Sequence, residues 1–465
     1  MLDVLEKAAE HGMKLGATFV ELRAELVNHG NTRYEDGRVR NIGNRIEEGV
    51  GIRVLADGAW GFVSTSSLSL SKLKTSVKDA CSLAASAGKA RHEPIKLADV
   101  KPLEDTVRVK FERIPTEVEP LEKIKYADKL WRECQRLDSR MSSITIGIRD
   151  SMGTKYIVTS EGTKLELGMG HVYLGISLTG KEGTKVTGAR EAYGSTSQGW
   201  EFIEEGHPPS EVADHLVKLV QKQLAGISPK PGSFACVLAP KIVGTLAHEA
   251  LGHLAEADLT LQSAFAGKMG QKVAPKGVYM IDDGTLAGGV GSVKYDDEGV
   301  PTSRVEIIKD GILNGLLTDR EYAQRMSVPV TGNARSEDYR YTPLIRMRNT
   351  FFERGESADD ELFKDIDFGY YCVSMMGGQV KLDSSFQVGV QEAYEIVNGE
   401  VGRPVTNMSI SGVATDALQK IEALGSETFE FEEGYCGKGQ AALVSDGGPL
   451  IRFGKGPIAF GGKAE

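Results

Sequence analysis

The run Ala247-His248-Glu249-Ala250-Leu251-Gly252-His253-Leu254 places two imidazoles and a carboxylate close together. It lies in a segment, residues 241–258, that reads as an amphipathic helix. Ile242, Leu246, Ala250 and Leu254 recur at fourfold spacing and make one apolar stripe. A neutral imidazole is a good zinc ligand, and a neighbouring carboxylate can serve as the base for a metal-bound water. The spacing is unusual. The familiar zinc-peptidase helix sets its histidines four residues apart on one face, whereas His248 and His253 are five apart. On a regular helix of roughly 100° per residue they diverge by about 140°. One metal can be shared only if the helix widens locally. A single π-turn is the simplest widening, and Gly252 eases an irregular backbone there. The alternative is two satisfied histidines on a helix rim.

The segments before this helix read as two small α+β units, and those after it as a β-rich domain. In residues 1–105, a short helix (2–11) precedes a strand in which Val20, Leu22, Ala24 and Leu26 alternate with Glu21, Arg23 and Glu25. Asp36-Gly37 and Asp57-Gly58 mark hairpin turns. Helical spacing returns over 69–85, with Cys81 beside the stripe. Residues 106–228 offer a helix over 117–137, short strands at 144–148, 155–159, 164–167 and 171–178, and a helix that Ser210 would cap. Ile227-Ser228-Pro229-Lys230-Pro231-Gly232 is the clearest linker. Residues 229–465 then give a strand (234–238), the histidine helix, a hairpin over 304–317 turning at Asp310-Gly311, and strands at 379–382, 386–390 and 392–397. Glycine-rich loops are expected to close the chain. The overall class is α+β, with a β-rich C-terminal domain carrying one HExxxH helix.

Composition narrows the function. With 465 residues, two or three domains are expected. The net charge of −10 argues against non-specific nucleic-acid binding. No apolar run is long enough to span a bilayer, and Met1-Leu2-Asp3-Val4-Leu5-Glu6-Lys7 carries acids where a signal peptide has bases. A cytoplasmic protein is expected, without membrane or direct nucleic-acid partners. The five cysteines are odd in number and scattered, unlike a disulfide framework. Gly437-Lys438-Gly439 and Gly454-Lys455-Gly456 lack the spacing of a phosphate loop.

A catalytic zinc takes three protein ligands and a water. Glu256 is three residues past His253 on the same helix face, and Asp258 is near. Cys436, in Gly434-Tyr435-Cys436-Gly437-Lys438, is a distant candidate whose thiolate Lys438 would help to hold deprotonated. The residues alone leave Glu256 and Cys436 both open.

From about Pro231 onward the chain resembles the TldD/PmbA family of metallopeptidases. The matching blocks are His248-Glu249-Ala250-Leu251-Gly252-His253, Asp296-Asp297-Glu298-Gly299-Val300-Pro301-Thr302, Thr331-Gly332-Asn333-Ala334-Arg335, the run from Tyr341 to Thr350, and Cys436-Gly437-Lys438. The N-terminal half matches more loosely. The resemblance implies the active, TldD-like branch, with Zn²⁺ on His248, His253 and Cys436 and with Glu249 as the base. It also implies peptide substrates that are short or unstructured, and a dimer of like chains or of this chain with a PmbA-like relative. The competing expectation is a non-catalytic regulatory or binding subunit. Arg335, Arg340, Arg346 and Arg348 are candidates to bind a peptide carboxylate or to pair with Asp296 to Glu298. Tyr322, Tyr339 and Tyr341 are candidates to donate to an oxyanion.

Overall fold

Asp36-Gly37 joins two strands far longer than their alternating stretch suggests. The computed structural model, which describes residues 1–462, begins with α1 (Leu2–Lys14), β1 (Phe19–Glu35), β2 (Arg38–Ala56), β3 (Ala59–Thr65) and α2 (Leu70–Gly88). Asp36 and Gly37 take φ of +49° and +79°, and Asp57 and Gly58 take +50° and +73°. Both pairs meet the double positive φ of a type I′ turn, whose twist matches the flanking strands.

Next come β4 (Glu104–Val107), α3 (Pro120–Leu137), β5 (Met141–Thr159), β6 (Lys164–Glu182), β7 (Lys185–Ser195), the short α4 (Trp200–Glu204) and α5 (Pro209–Ala225). The four short strands expected between 144 and 178 are two continuous ones. Gly153, Gly168 and Gly170 interrupt the apolar alternation without interrupting the ladder. The helix expected from residue 117 starts at Pro120, after a 3₁₀ turn. Ser210 does not cap α5. The helix begins one residue earlier, at Pro209, whose fixed φ suits the first turn.

These strands form one seven-stranded sheet, ordered β3-β2-β1-β5-β6-β4, with β7 on β6. It runs without a break across residue 105, because β1 pairs with β5 over 15 residue pairs. One face is apolar. Leu22 and Ile52 pack with Leu5 of α1 and Val77 of α2, and Ile146 and Leu174 pack with Leu130 of α3 and Leu216 of α5. Each such side chain contributes about 1.5–3 kcal/mol on burial.

The other face is polar, and at one end it is fully covered. Glu21, Arg23 and Glu25, read from the alternation as the wet side of a half-buried strand, are at most 4% exposed. They meet charges from the C-terminal half. Arg53 bridges Glu21 (2.7 Å) and Glu298 (2.6 Å), and Lys155 bridges Glu25 (3.1 Å) and Asp297 (2.6 Å). Arg23 donates to the Tyr341 carbonyl at 2.6 Å. Alternation identifies two faces of a strand, but it does not tell water from a complementary surface.

The C-terminal half contributes β8 (Gly232–Ser233), β9 (Ala235–Leu238), α6 (Pro240–Thr245), a π-turn (Leu246–Gly252), α7 (His253–Ala255), α8 (Ala257–Thr260), β10 (Met280–Asp283), β11 (Arg304–Lys309), β12 (Ile312–Leu313) and α9 (Arg320–Met326). The hairpin expected over 304–317 turns at Asp310-Gly311, but its return strand keeps only two residues. Then follow β13 (Ala334–Arg335), β14 (Leu344–Ile345), β15 (Asn349–Phe352), β16 (Phe368–Val380), β17 (Ser385–Val397), β18 (Glu400–Val405), β19 (Met408–Val413), α10 (Ala414–Leu418), β20 (Ile421–Gly437), β21 (Ala441–Phe453) and β22 (Ile458–Gly462). The expected closing loops are therefore a long hairpin and a further strand. Backbone pairing sustains β20 and β21 where glycines and clustered acids hide the alternation. Thirteen strands make one sheet, with β9 parallel to β16 and antiparallel to β21 at its centre. Cys236, Val237 and Leu238 are buried there, as a strand covered on both faces requires. The fold is α+β. Among the described residues, no helix is long and apolar enough to cross a membrane.

Candidate metal centre

The histidine helix is regular only for its first turn. Pro240 opens α6, and from Leu246 to Gly252 the backbone widens into the π form before α7 resumes at His253. A π-turn bonds residue i to i+5, so residues five apart come onto one side. The His248 and His253 rings lie 5.3 Å apart and nearly perpendicular. Gly252 is required by closeness as well as by freedom. A Cβ there would stand 2.1 Å from Met347 Sδ and 3.0 Å from the Ala247 carbonyl. The helix ends at Ala255, short of the expected 258, because Glu256 turns extended with ψ 118°.

Cys436 arrives from the far end of the chain, at the end of β20 where it pairs with Ala442 of β21 just before the hairpin turns. Its sulfur is 3.4 Å from His253 Nε2. One donor atom from each of His248, His253 and Cys436 fits within 4.8 Å of the others. The fully buried Arg346 fixes the hairpin end, donating to the carbonyls of Cys436 (2.5 Å) and Gln440 (2.8 Å). Burial pushes the Cys436 thiol up, but the two imidazoles outweigh it and bring it down to about 5. A thiolate among imidazoles is the soft donor set zinc accepts. Both nitrogens of buried His248 lack a hydrogen-bond partner among the described residues. An unpartnered buried ring nitrogen is costly, and coordination would remove that cost.

The other local acids have different duties. Glu256, wholly buried, accepts from His253 Nδ1 at 2.8 Å, which turns His253 Nε2 toward the sulfur. Asp258 receives Lys438 Nζ at 2.8 Å. Neither belongs to the three-donor group. Lys438 does not attend the thiolate as expected. It bonds Glu256 (3.0 Å), Asp258 and the Ile345 carbonyl (3.1 Å), so it braces the carboxylate that orients His253.

Glu249 points the other way. Its side chain is 45% exposed, with Oε2 3.9 Å from His253 Nε2. It lines a cleft of about 700 Å³ between the open end of the N-terminal sheet's polar face and β16, β17 and β20. Asp446, on β21, lines the same cleft, and burial pushes its carboxyl up to about 7. The sequence reading missed Asp446, because it lies in a stretch taken for loop and no motif marks it.

The candidate arginines are structural. Arg346 holds the Cys436 hairpin. Arg348 pairs with Asp282 at 3.0 Å, Arg340 with Asp338 (2.6 Å) and Glu47 (2.8 Å), and Arg335 donates to the Met347 carbonyl. None pairs with Asp296 to Glu298. Asp297 and Glu298 take Lys155 and Arg53, and Asp296 accepts backbone N–H groups of Glu298, Val300 and Ala334. Tyr339 packs against the N-terminal sheet at Gly49, Tyr341 offers Arg23 only its carbonyl and is otherwise exposed, and Tyr322 packs against the C-terminal core.

Sequence comparison places the same architecture among known proteins. Models of PmbA/TldA metallopeptidase domain 1, central domain and C-terminal domain match residues 20–84, 113–224 and 231–459. A metalloprotease from Methanocaldococcus jannaschii is 32% identical over 457 residues, covering 97% of this chain and 98% of its own. The chain belongs to the TldD/PmbA metallopeptidase family. A second relative, a zinc metalloprotease TldD homolog from Saccharolobus solfataricus, is also 32% identical, over 98% of each chain. The family is thus one of metal-dependent peptidases. Solved TldD/PmbA-fold structures align along the whole length. TldE from Thermococcus kodakarensis gives a TM-score of 0.75 at 20% identity, covering 98% of this chain and 99% of its own. A putative modulator of DNA gyrase from Bacteroides thetaiotaomicron gives 0.78 at 19%, covering 99% and 98%. At those identities the likeness concerns the fold.

Proposed function

We propose that this chain is a zinc-dependent peptidase of the TldD-like branch, acting on short or unstructured peptides. The observation that supports this most strongly is the meeting of His248, His253 and Cys436 within 4.8 Å beside an exposed glutamate. Those three residues would hold the ion. A zinc ion there supplies a Lewis acid that polarises a peptide carbonyl and acidifies a water in its open position. Glu249 faces the cleft and takes the proton of the attacking water, then returns it to the leaving amine. Glu256 keeps the Nδ1 proton of His253 in place, and Lys438 keeps Glu256 charged. Arg346 keeps the Cys436 turn closed.

Access favours extended chains. Among the described residues β20 pairs along its length with β21 and meets Ser357 on its other edge only near Gly425, and its Glu432, Glu433 and Gly434 line the cleft. Main-chain bonding along that free edge would hold a peptide with little side-chain choice. A dimer, with a like chain or with a PmbA-like relative, would narrow the entrance further.

The test is metal analysis followed by cleavage. Purified protein should carry zinc in a one-to-one ratio and cut an unstructured peptide in a chelator-sensitive way. Glu249→Gln should keep the metal and lose activity by about 10²- to 10⁴-fold. Undiminished cleavage by that variant removes Glu249 as the base, and full zinc retention by Cys436→Ala removes the sulfur as a ligand.

A further inference from the structure

The cleft has a second chemical feature, on the wall opposite the metal centre. Its floor is the open end of the N-terminal sheet's polar face. Across that floor run the paired positions Asn31, Arg149 and Tyr173 of β1, β5 and β6, and farther along, Thr145, Ser177 and Arg190 of β5, β6 and β7. Gly147 and Gly175 lie between these rows and leave the middle of the floor low.

Arg149 is held in place without being neutralised. Its guanidinium sits 4.4 Å from the Tyr173 ring centroid and 5.4 Å from that of Tyr435, the residue next to Cys436. Stacking of this kind orients a guanidinium and leaves its N–H edges free. Neither Arg149 nor the Arg190 guanidinium has an ion pair or side-chain hydrogen bond among the described residues. This contrasts with three of the acids that share the cleft, Glu249 and Asp446 lying apart on the wall beside the histidines. Glu191 is taken by Lys241 (2.7 Å) and His215 (3.3 Å), and Glu432 is 4.0 Å from the same lysine. Burial pushes the Glu433 carboxyl up to about 8, toward its neutral form. The floor therefore presents two unspent positive charges.

We propose that Arg149 and Arg190 are specificity-determining residues that bind acidic side chains of an extended peptide substrate. From strand geometry, their backbones are about 16 Å apart: four residues along one strand and two strands across. An extended peptide covers that distance in about five residues. The preferred substrate class is thus an unstructured peptide with Asp or Glu at two positions about five residues apart. This deepens the peptidase reading and rests on it for catalysis, though not for binding.

The experiment compares two fluorogenic peptides of equal length, one with Glu at both positions and one with Gln. For the zinc-loaded protein, kcat/KM for cleavage and Kd by fluorescence anisotropy are measured with each peptide. The Glu peptide should be favoured in both by about fivefold, mostly through KM, the upper end of what one exposed ion pair supplies. That preference should shrink as salt rises. Arg149→Gln and Arg190→Gln should each lower the Glu-to-Gln ratio toward one, and Arg149→Lys should restore part of it. Arg132→Gln, on the outer face of α3, should leave the ratio as it is. Equal handling of the two peptides by the unaltered protein overturns the proposal, as does a ratio that survives both arginine changes. If the Glu peptide binds better in an arginine-dependent way but neither peptide is cut, the anion site stands and the peptidase reading falls.

Discussion

One strand, β1, carries two opposite outcomes on the same face. Glu21, Arg23 and Glu25 point to the side where Asn31 and Arg33 also point, since all are odd-numbered positions. The first three are sealed against Asp297, Glu298 and Tyr341 of the C-terminal half. The last two open into the cleft. The local sequence is polar in both places. What differs is the opposing surface: at one end it brings matched charges, and at the other it draws back and leaves the cleft open. A polar sheet face is therefore an adhesive or a binding floor according to what lies across from it.

Breaking the sealed end should have the largest effect. Asp297→Ala leaves Lys155 buried with Glu25 alone, which should cost about 3–5 kcal/mol, read as a lower denaturant midpoint. Burial pushes Asp297 up, but Lys155 and Arg23 outweigh it and hold its carboxyl well below the usual carboxylate range. Its contribution is therefore complete above the unfolded value of about 4 and is lost as pH falls below that. An Asp297→Asn protein should show a flatter acid limb, and an unchanged limb would remove this pair from the seal.

Next is the brace behind the metal centre. Glu256→Gln should keep its hydrogen bond to His253 but weaken zinc binding about 10- to 100-fold, measured by competition with a chelator. A smaller change would mean that Lys438 and Glu256 serve packing only.

Asp319, at the start of α9, should behave with opposite sign to Asp297. Burial and the neighbouring Glu298 push its carboxyl up to about 7. The stability this gives is present below the unfolded value of about 4 and declines as pH rises toward 7. Asp319→Asn retains the cap on Tyr322 and removes the charge, so at pH 8 it should raise stability by roughly 1–2 kcal/mol. No gain at pH 8 would show that the folded protein already accommodates the charge.

The open end should yield the smallest stability change. Arg190→Ala is expected to shift unfolding by less than about 0.5 kcal/mol. A loss of several kcal/mol would make that end structural and erase the distinction between the two.

The chemistry of the site was more legible in the sequence than its support. If His248 and His253 were to share one ion, their five-residue spacing needed a widened turn, and the π-turn is there. The Asp-Gly turns appear where they were read, because few residue pairs accept two positive φ values. The Cys436 hairpin was not read as a strand, since between Glu427 and Gly434 only Phe429 and Phe431 alternate with acids, and its full length comes from pairing with β21. The sealed ion pairs were illegible for a related reason. Arg53 and Glu298 lie 245 residues apart, and nothing local to either marks the other as its partner.

The placement of the sulfur on the β20–β21 hairpin bears on synthesis. A growing chain acquires both imidazoles and the glutamate long before it acquires the thiol, and the hairpin closes only after β21 has emerged to pair with β20. A ribosome-bound intermediate thus holds an incomplete donor set, and under the proposed function could not yet act on other nascent, still unfolded polypeptides.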